Sequence, residues 1–189
     1  MDFIDEIKNY QPVNEQESVD KKIILELIDT YGEKLLNRKN LTVHVSSSGF
    51  IVNPTLTKTL VVYHNIYKAW TWTGGHADGE GKLLNVALRE ATEETGVTKI
   101  KPLTEQAAVI DILSVPAHIK HGNYVNTHLH ISVGYLLVAD ENQSIFIKPD
   151  ENSGVQWIEL SDLFKYCTEP EMAGVYQKLL NRLSKFQMC

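Results

Sequence analysis

Cysteine is scarce, with only Cys167 and Cys189 in 189 residues. Two such thiols do not make a disulfide framework, so a reducing, cytoplasmic setting is expected. No stretch approaches the ~18 apolar residues of a membrane span, which argues against a spanning segment. The start, Met1-Asp2-Phe3-Ile4-Asp5-Glu6, is acidic and lacks the apolar run of a signal peptide. Positive charge is also short: 18 Lys and Arg stand against 24 Asp and Glu, a net charge of -6. That balance makes a nucleic-acid polymer a poor partner, since its phosphates need a basic face. There is no internal repeat, low-complexity tract or Pro/Gly-rich linker, and the length favours one domain. Hydrophobic residues are 43% and charged residues 22%, ordinary for a globular chain able to bury a sizeable core.

The first 40 residues read as helical. Val19, Ile23, Ile24, Leu27, Ile28, Tyr31 and Leu35 recur at helix spacing among charged residues, giving an amphipathic helix that packs on the domain or on a second subunit. A period of two then takes over. Leu41, Val43 and Val45 alternate with Thr42, His44 and Ser46, and Gly49 to Val52 continues the strand. Asn53-Pro54 marks a turn. Further strands are expected over Thr59–Tyr63 and Tyr67–Thr73, the latter stopped by Gly74-Gly75. Later ones are expected over Ala107–Val115, His128–Val138 and Val155–Ile158. His118 to Asn126 reads as a loop. Thr168 and Glu171 have capping-box spacing for a C-terminal helix striped by Met172, Val175, Tyr176, Leu179, Leu180, Leu183 and Phe186. Strands and helices without a regular βαβ rhythm favour a mixed sheet covered by helices.

Residues 83–95 carry the chemistry. Leu84, Ala87, Leu88 and Ala91 sit at i, i+3, i+4 and i+7, so one helix face is apolar. At about 100° per residue, Glu90 and Glu94 lie together, roughly 70–110° from the centre of that stripe, at its boundary with solvent. Glu93 points further out, and Arg89, four residues earlier, can pair with it. Gly96 is placed to end the helix in the left-handed conformation. Glu93 and Glu94 fall in the last turn, where the macrodipole is already negative, and Glu90 adds a third carboxylate. As structure alone this is mildly destabilising. A divalent cation would relieve it, because Mg²⁺ or Mn²⁺ takes carboxylate oxygens. A solvated acidic helix face is the plainer reading of three glutamates taken by themselves.

The ordered combination is more specific. Gly75, Arg89, Glu90, Ala91, Glu93, Glu94, Gly96 and Val97 match in register the Nudix box, G-x5-E-x7-R-E-U-x-E-E-x-G-U with U apolar. The lead-in Trp70-Thr71-Trp72-Thr73-Gly74-Gly75-His76 also resembles that family, and the layout of elements does so from about residue 41 to 165. One position departs: Gly81 stands where the pattern has glutamate, with Glu80 one residue early. Glu80 or Asp78 is expected to compensate in part.

The resemblance implies an α/β/α sandwich with a mixed β-sheet over residues 41–189, preceded by the helical extension of residues 1–40. It implies a metal-dependent hydrolase that cleaves a diphosphate linkage in a nucleoside-diphosphate-type substrate. Glu90 and Glu94 become the leading metal ligands and Glu93 a further ligand or water-positioning group, with Arg89 orienting Glu93. Family members often carry a catalytic carboxylate before a strand like Val155–Ile158, which nominates Glu151; an exposed acidic loop is the alternative. His76, following the glycines, is a candidate to line the site. His128 and His130 share a strand face and are suited to phosphate, or are unrelated. Trp70 and Trp72 share a face suited either to stacking a base or to the core, and Trp72 is the candidate for substrate. An isomerase of isopentenyl diphosphate shares the family fold but calls for a site cysteine, and neither Cys167 nor Cys189 lies near the motifs. A non-catalytic nucleotide-binding sensor is the reading from another class. Gly81 favours it, whereas the Arg89-Glu90 and Glu93-Glu94 pairs and the lack of a second, DNA-binding domain count against it.

Overall fold

Residues 1–120 and 122–187 are described by the computed structural model of the chain. Two helices, α1 (Phe3–Asn9) and α2 (Glu15–Tyr31), lead through a single-turn 3₁₀ helix to strands β1 (Val43–Val52), β2 (Lys58–His64), β3 (Ala69–Thr71) and β4 (Thr73–His76). Helix α3 (Leu83–Thr95) follows, then β5 (Ile100–Pro102), β6 (Val109–Val115), β7 (His118–Lys120), β8 (Asn123–Val125), β9 (His128–Ala139) and β10 (Asn152–Glu159). Short α4 (Leu163–Tyr166) and long α5 (Pro170–Gln187) close the described chain. The main sheet runs β10-β2-β1-β9-β5, with β3 on β2, β4 on β1 and β6 on β9. It is mixed because β1 and β9 pair in parallel, from Val43 against Leu129 to Val52 against Val138, while the other pairings are antiparallel.

Side-chain alternation on the paired central strands sorts the core into two layers. Val43, Val45 and Ile51 of β1, with Ile131, Val133 and Tyr135 of β9, pack under α1, α2 and α3. Phe50, Val52 and Leu136 point to the other face, where Val175, Tyr176 and Leu179 of α5 cover them. All ten residues of β1 are therefore buried, rather than one face in two as its alternation implied. The α/β/α sandwich with a mixed sheet is the observed architecture. No described helix is long and apolar enough to cross a membrane.

Several boundaries move. The strand expected over Tyr67–Thr73 is broken at Trp72 into β3, on β2, and β4, which takes in Gly74 and Gly75 and reaches His76, paired with β1. The stretch read as a loop from His118 forms a two-stranded hairpin, β7 on β8; position 121 lies outside the described residues. The last helix begins at Pro170, which takes the first helical position, rather than at Thr168. Glycine-ended α3 conforms to expectation, with Gly96 at φ 79°.

The stripe of α2 is rotated from the expected one. Ile24 and Ile28 are buried, but Val19 and Ile23 are half exposed, and the buried residue of the first turn is Glu17. Glu17 is met by Lys178 of α5 at 3.3 Å and Arg182 at 3.8 Å, while Lys178 also lies 2.6 Å from Asp111 of β6. Arg182 donates to the Tyr10 hydroxyl at 2.8 Å. Glu6, also buried, accepts from the Tyr135 hydroxyl and the Ala107 amide. Phe3, Ile7, Ile24 and Leu35 share one core cluster with the sheet. Buried polar ties and apolar packing thus bind the first 40 residues to this chain's own domain.

Lys178 stands opposite two buried carboxylates. Removing it leaves both without their main cation, a loss of about 3–5 kcal/mol. Lys178→Met should lower the urea midpoint accordingly, whereas Lys185→Met, on the exposed last turn of α5, should leave it within about 0.5 kcal/mol.

Candidate active site

The cleft lies on the α5 face of the sheet, beyond the end of that helix, with a volume of about 600 Å³. Ser46, Ser48 and Ser132 floor it, small residues that leave depth above β1 and β9. On one wall α3 delivers its glutamates past β4. The approach is close because Gly75 has no side chain: a Cβ there would stand 2.3 Å from the Glu90 carboxyl carbon. The Gly74 amide donates to Glu94 Oε1 at 3.4 Å.

Glu94 is only 4% exposed and Glu90 is half-buried. Glu90 holds the expected boundary position, whereas Glu94 lies deeper, because the buried face of α3 runs through Leu83, Ala87, Ala91 and Glu94. Glu151, from the loop entering β10, brings a third carboxylate. Oxygens of Glu90, Glu94 and Glu151 all lie within 4.8 Å of one another. Burial pushes the Glu94 carboxyl up to about 8; the Gly74 amide opposes the shift, and Glu151 and Glu90 add to it. Glu90 is raised too, by burial first, with Arg89 opposing and Glu93 and Glu151 adding.

Glu93 stands apart. It is held by Lys148 at 2.9 Å and by Arg89 at 4.0 Å, on the exposed side of the helix. Arg89 itself is nearer Glu90, at 3.1 Å. The group of three is thus completed by Glu151 in place of Glu93. Lys148 also reaches Glu151 at 3.2 Å. Burial works against its charge, yet the two carboxylates beside it raise it overall. Lys148 was passed over in the sequence; its one local signal is the i, i+3 spacing to Glu151.

The loop carboxylates are already paired, Asp78 at the edge of the cleft beside Arg38. Asp78 makes a two-pronged pair with Arg38, at 2.6 and 2.7 Å, and Glu80 accepts from the Lys82 amide at 2.8 Å. Position 81 faces the N-terminal segment instead. The Phe3 amide donates to the Gly81 carbonyl at 2.9 Å, and a Cβ on Gly81 would stand 2.5 Å from Asp2 Oδ2. The place of the missing glutamate side chain is taken by the cap of α1.

The opposite wall is imidazole. His76 and His130 line the cleft and His44 lies buried behind them. His128, buried, sets its Nε2 3.2 Å from that of His130. Trp72 lines the cleft with part of its ring but is 8% exposed and packs edge-on against Tyr176, so it belongs mainly to the core. Trp70 sits edge-on to Tyr63 and Tyr166. Cys167 is buried beneath α5, away from the cleft, and Cys189 lies outside the described residues.

The description of the NUDIX domain matches the chain over residues 43–179. The chain belongs to the NUDIX family. A probable DHNTP pyrophosphohydrolase of Lactococcus lactis subsp. cremoris is 24% identical over 143 residues, which are 76% of this chain and 81% of that one. Among solved structures, a Caenorhabditis elegans Ap4A hydrolase in a binary complex aligns with TM-score 0.53 and 18% identity, covering 75% of this chain and 98% of the other. The Escherichia coli dihydroneopterin triphosphate pyrophosphohydrolase aligns with TM-score 0.53 and 14% identity, covering 72% and 95%. In this NUDIX chain the box runs from Gly75 in β4 through α3 to its Gly96 cap, so the motif and the acidic wall of the cleft are one object.

Glu94 ties the site to stability. Its unfolded carboxyl ionises near the usual 4.5, while the folded one keeps its proton to about 8. Between those values the folded state binds more protons, so metal-free stability falls as pH rises. Glu94→Gln carries no charge at any pH. Without metal, the variant should melt above the parent at pH 8 and much closer to it at pH 4.5, by about 2–4 °C for each ~1 kcal/mol. Mg²⁺ should raise the melting point of the parent at pH 8 and leave the variant nearly unmoved.

Proposed function

We propose that this Nudix-type pyrophosphohydrolase works with Mg²⁺ or Mn²⁺ held by Glu90, Glu94 and Glu151, and cleaves a diphosphate linkage in a nucleoside-diphosphate-type substrate by attack of water on phosphorus. The observation that carries the reading is the convergence of these three carboxylates within 4.8 Å around a buried Glu94. The donor set fits a hard divalent cation: it is all oxygen, and Glu94, the most buried of the three, has no cationic side chain paired with it, whereas Arg89 meets Glu90 and Lys148 meets Glu151. When bound, the metal supplies charge neutralisation on the diphosphate and a more acidic water.

The chain's own residues do the rest. Glu151 is the most exposed of the three and opens to the cleft, so it is the one placed to accept a proton from the attacking water. Lys148 holds Glu151 and Glu93 in place, and Arg89 steadies Glu90. Glu93 then acts as a supporting group, reached through Lys148 and Arg89. His76 and His130 face the phosphate end of the cleft. Ile66, Tyr67 and Met172 line another part and suit a flat ring. The relatives named for Ap4A and for dihydroneopterin triphosphate act on compounds with a phosphate chain on a ring system, which supports the same class here.

A panel of nucleoside triphosphates, nucleotide sugars, dinucleoside polyphosphates and NADH-type compounds, scored by released phosphate or nucleotide, identifies the substrate. Turnover should require Mg²⁺ or Mn²⁺ and stop in EDTA. Glu94→Gln should cut kcat by at least ~100-fold. Glu151→Gln should lower kcat at saturating metal. Undiminished turnover in EDTA or in Glu94→Gln would overturn the assignment.

A further inference from the structure

We propose that His44, His76 and His130 form a second metal site, one that takes a single borderline divalent cation of the Zn²⁺ class and is separate from the carboxylate group. One ring nitrogen of each lies within 4.8 Å of those of the other two. They come from three strands. His44 of β1 pairs with His130 of β9 in parallel register, and His76 comes from β4 on the other side of β1. Ring centroids stand 5.1 Å apart for His44 and His76, and 4.9 Å apart both for His44 and His130 and for His76 and His130. Three rings facing one point from three strands is a geometry that packing alone does not require.

The proton positions point the same way. His44 Nδ1 lies 3.0 Å from the Asn40 carbonyl. A carbonyl only accepts, so Nδ1 carries the proton and Nε2 a lone pair. That Nε2 is buried and has no hydrogen-bond partner, although the His44 residue is only 4% exposed. A buried acceptor left unmatched costs free energy, and a metal ion would satisfy it. The carbonyl behind the ring is also the usual device that sets the tautomer of a metal-ligating histidine. His128 repeats the arrangement: its Nδ1 donates to the Asn126 carbonyl at 2.8 Å, so its Nε2 accepts from His130 Nε2 at 3.2 Å, and His130 offers a cation its Nδ1 lone pair. It braces the His130 ring from outside the group of three.

Metal chemistry explains the cluster better than phosphate binding does. Phosphate wants imidazolium, whereas a metal wants neutral imidazole. A buried His44 ring whose Nδ1 already donates to a carbonyl leaves Nε2 as a bare lone pair, which a metal ion accepts and a phosphate oxygen does not match. Three nitrogens around a tetrahedral Zn²⁺ stand roughly 3.3 Å apart, so modest ring rotations close the site. Three imidazoles leave a fourth position, on the side where His76 and His130 line the cleft. Imidazole favours Zn²⁺, Ni²⁺ or Cu²⁺, and the carboxylates favour Mg²⁺ or Mn²⁺, so the two sites sort their ions by donor type. The inference stands on these rings alone and does not depend on the hydrolytic reading.

The test is a titration of the full chain with Co²⁺ in excess Mg²⁺, which occupies the carboxylates. One equivalent should bind, with the visible absorption of nitrogen-ligated, low-coordinate Co²⁺, and Zn²⁺ should displace it. His76→Gln and His130→Gln should each weaken binding by at least ~10-fold, and Glu94→Gln should keep it. Circular dichroism identifies a variant that has not folded. In that event the wild type decides, since Zn²⁺ should shift the ring ¹⁵N resonances of His44, His76 and His130 together. The proposal is overturned if no Co²⁺ band forms in excess Mg²⁺. Loss of the band in Glu94→Gln with retention in the histidine variants, or rings unmoved by Zn²⁺, would also overturn it and leave a packed aromatic stack.

Discussion

One residue of β4, Gly75, lets α3 come close enough to the sheet for its carboxylates to enter the cleft. A side chain at Gly75 would occupy the volume of the Glu90 carboxylate, whereas one at Gly74, on the opposite face of the strand, would strike Ser48. With no side chain at Gly75 the helix lies close to bare backbone, and the Gly74 amide meets Glu94 directly. The rest of the acidic wall depends on this approach. Ala87 and Ala91, small and buried, keep the helix low. Ser47 of β1 donates to the Leu83 carbonyl at 2.7 Å and anchors its first turn. Gly96 turns the chain at the other end, with Phe146 packed against it. The result is a buried carboxylate held near others of like charge, a state that a protein keeps only when something repays the desolvation.

The N-terminal segment meets the chain just before α3. Phe3 and Ile7 belong to the same core cluster as Leu83, Ala87 and Ala91, and the Phe3 amide donates to the Gly81 carbonyl. Asp2 caps α1 and occupies the space beside Gly81. The box departs from its pattern at the point where this chain adds an element. A longer side chain at 81 would have to displace the Asp2 carboxylate and, if acidic, would add a like charge next to it. Glycine at 81 thus leaves room for the Asp2 carboxylate.

What could be read from the sequence was whatever repeats locally. The helix of residues 83–95, its Gly96 cap, the long strands and the acidic cluster follow from spacing within one element. Glu151 could be nominated only by its place before a strand, and its neighbour Lys148 had no comparable signal. Glu17 was hidden by its setting on a helix rich in charge, where one more glutamate looks solvated. Its burial depends on Lys178 and Arg182, more than 160 positions away in sequence. The β7–β8 hairpin was misread because Pro116, Gly122 and several polar residues resemble a loop in composition, whereas pairing of short strands leaves little periodicity. His44 was read only as the polar partner in an alternation. Its match with His130 exists only once β1 and β9 lie parallel in register.

That parallel pairing also decides how charge is arranged across the cleft. It sets the even-numbered residues of both strands on the α5 face, so His44, Ser46 and Ser48 lie beside His130 and Ser132. β4, antiparallel on the other edge of β1, contributes His76, two residues from the Gly74 that meets Glu94. At about 3.3 Å per residue the step from the acidic wall to the imidazole wall is roughly 7 Å along one strand. Over that step the donors change from carboxyl oxygen to imidazole nitrogen. The same burial drives both walls, raising the carboxyls of Glu90 and Glu94 and lowering the imidazoles of His44 and His130. Each wall is thereby pushed toward its neutral form, and a cation at either relieves the cost that burial imposes there. A phosphate chain lying along β4 would touch both walls, with its charge opposed by the carboxylates unless cations stand between them.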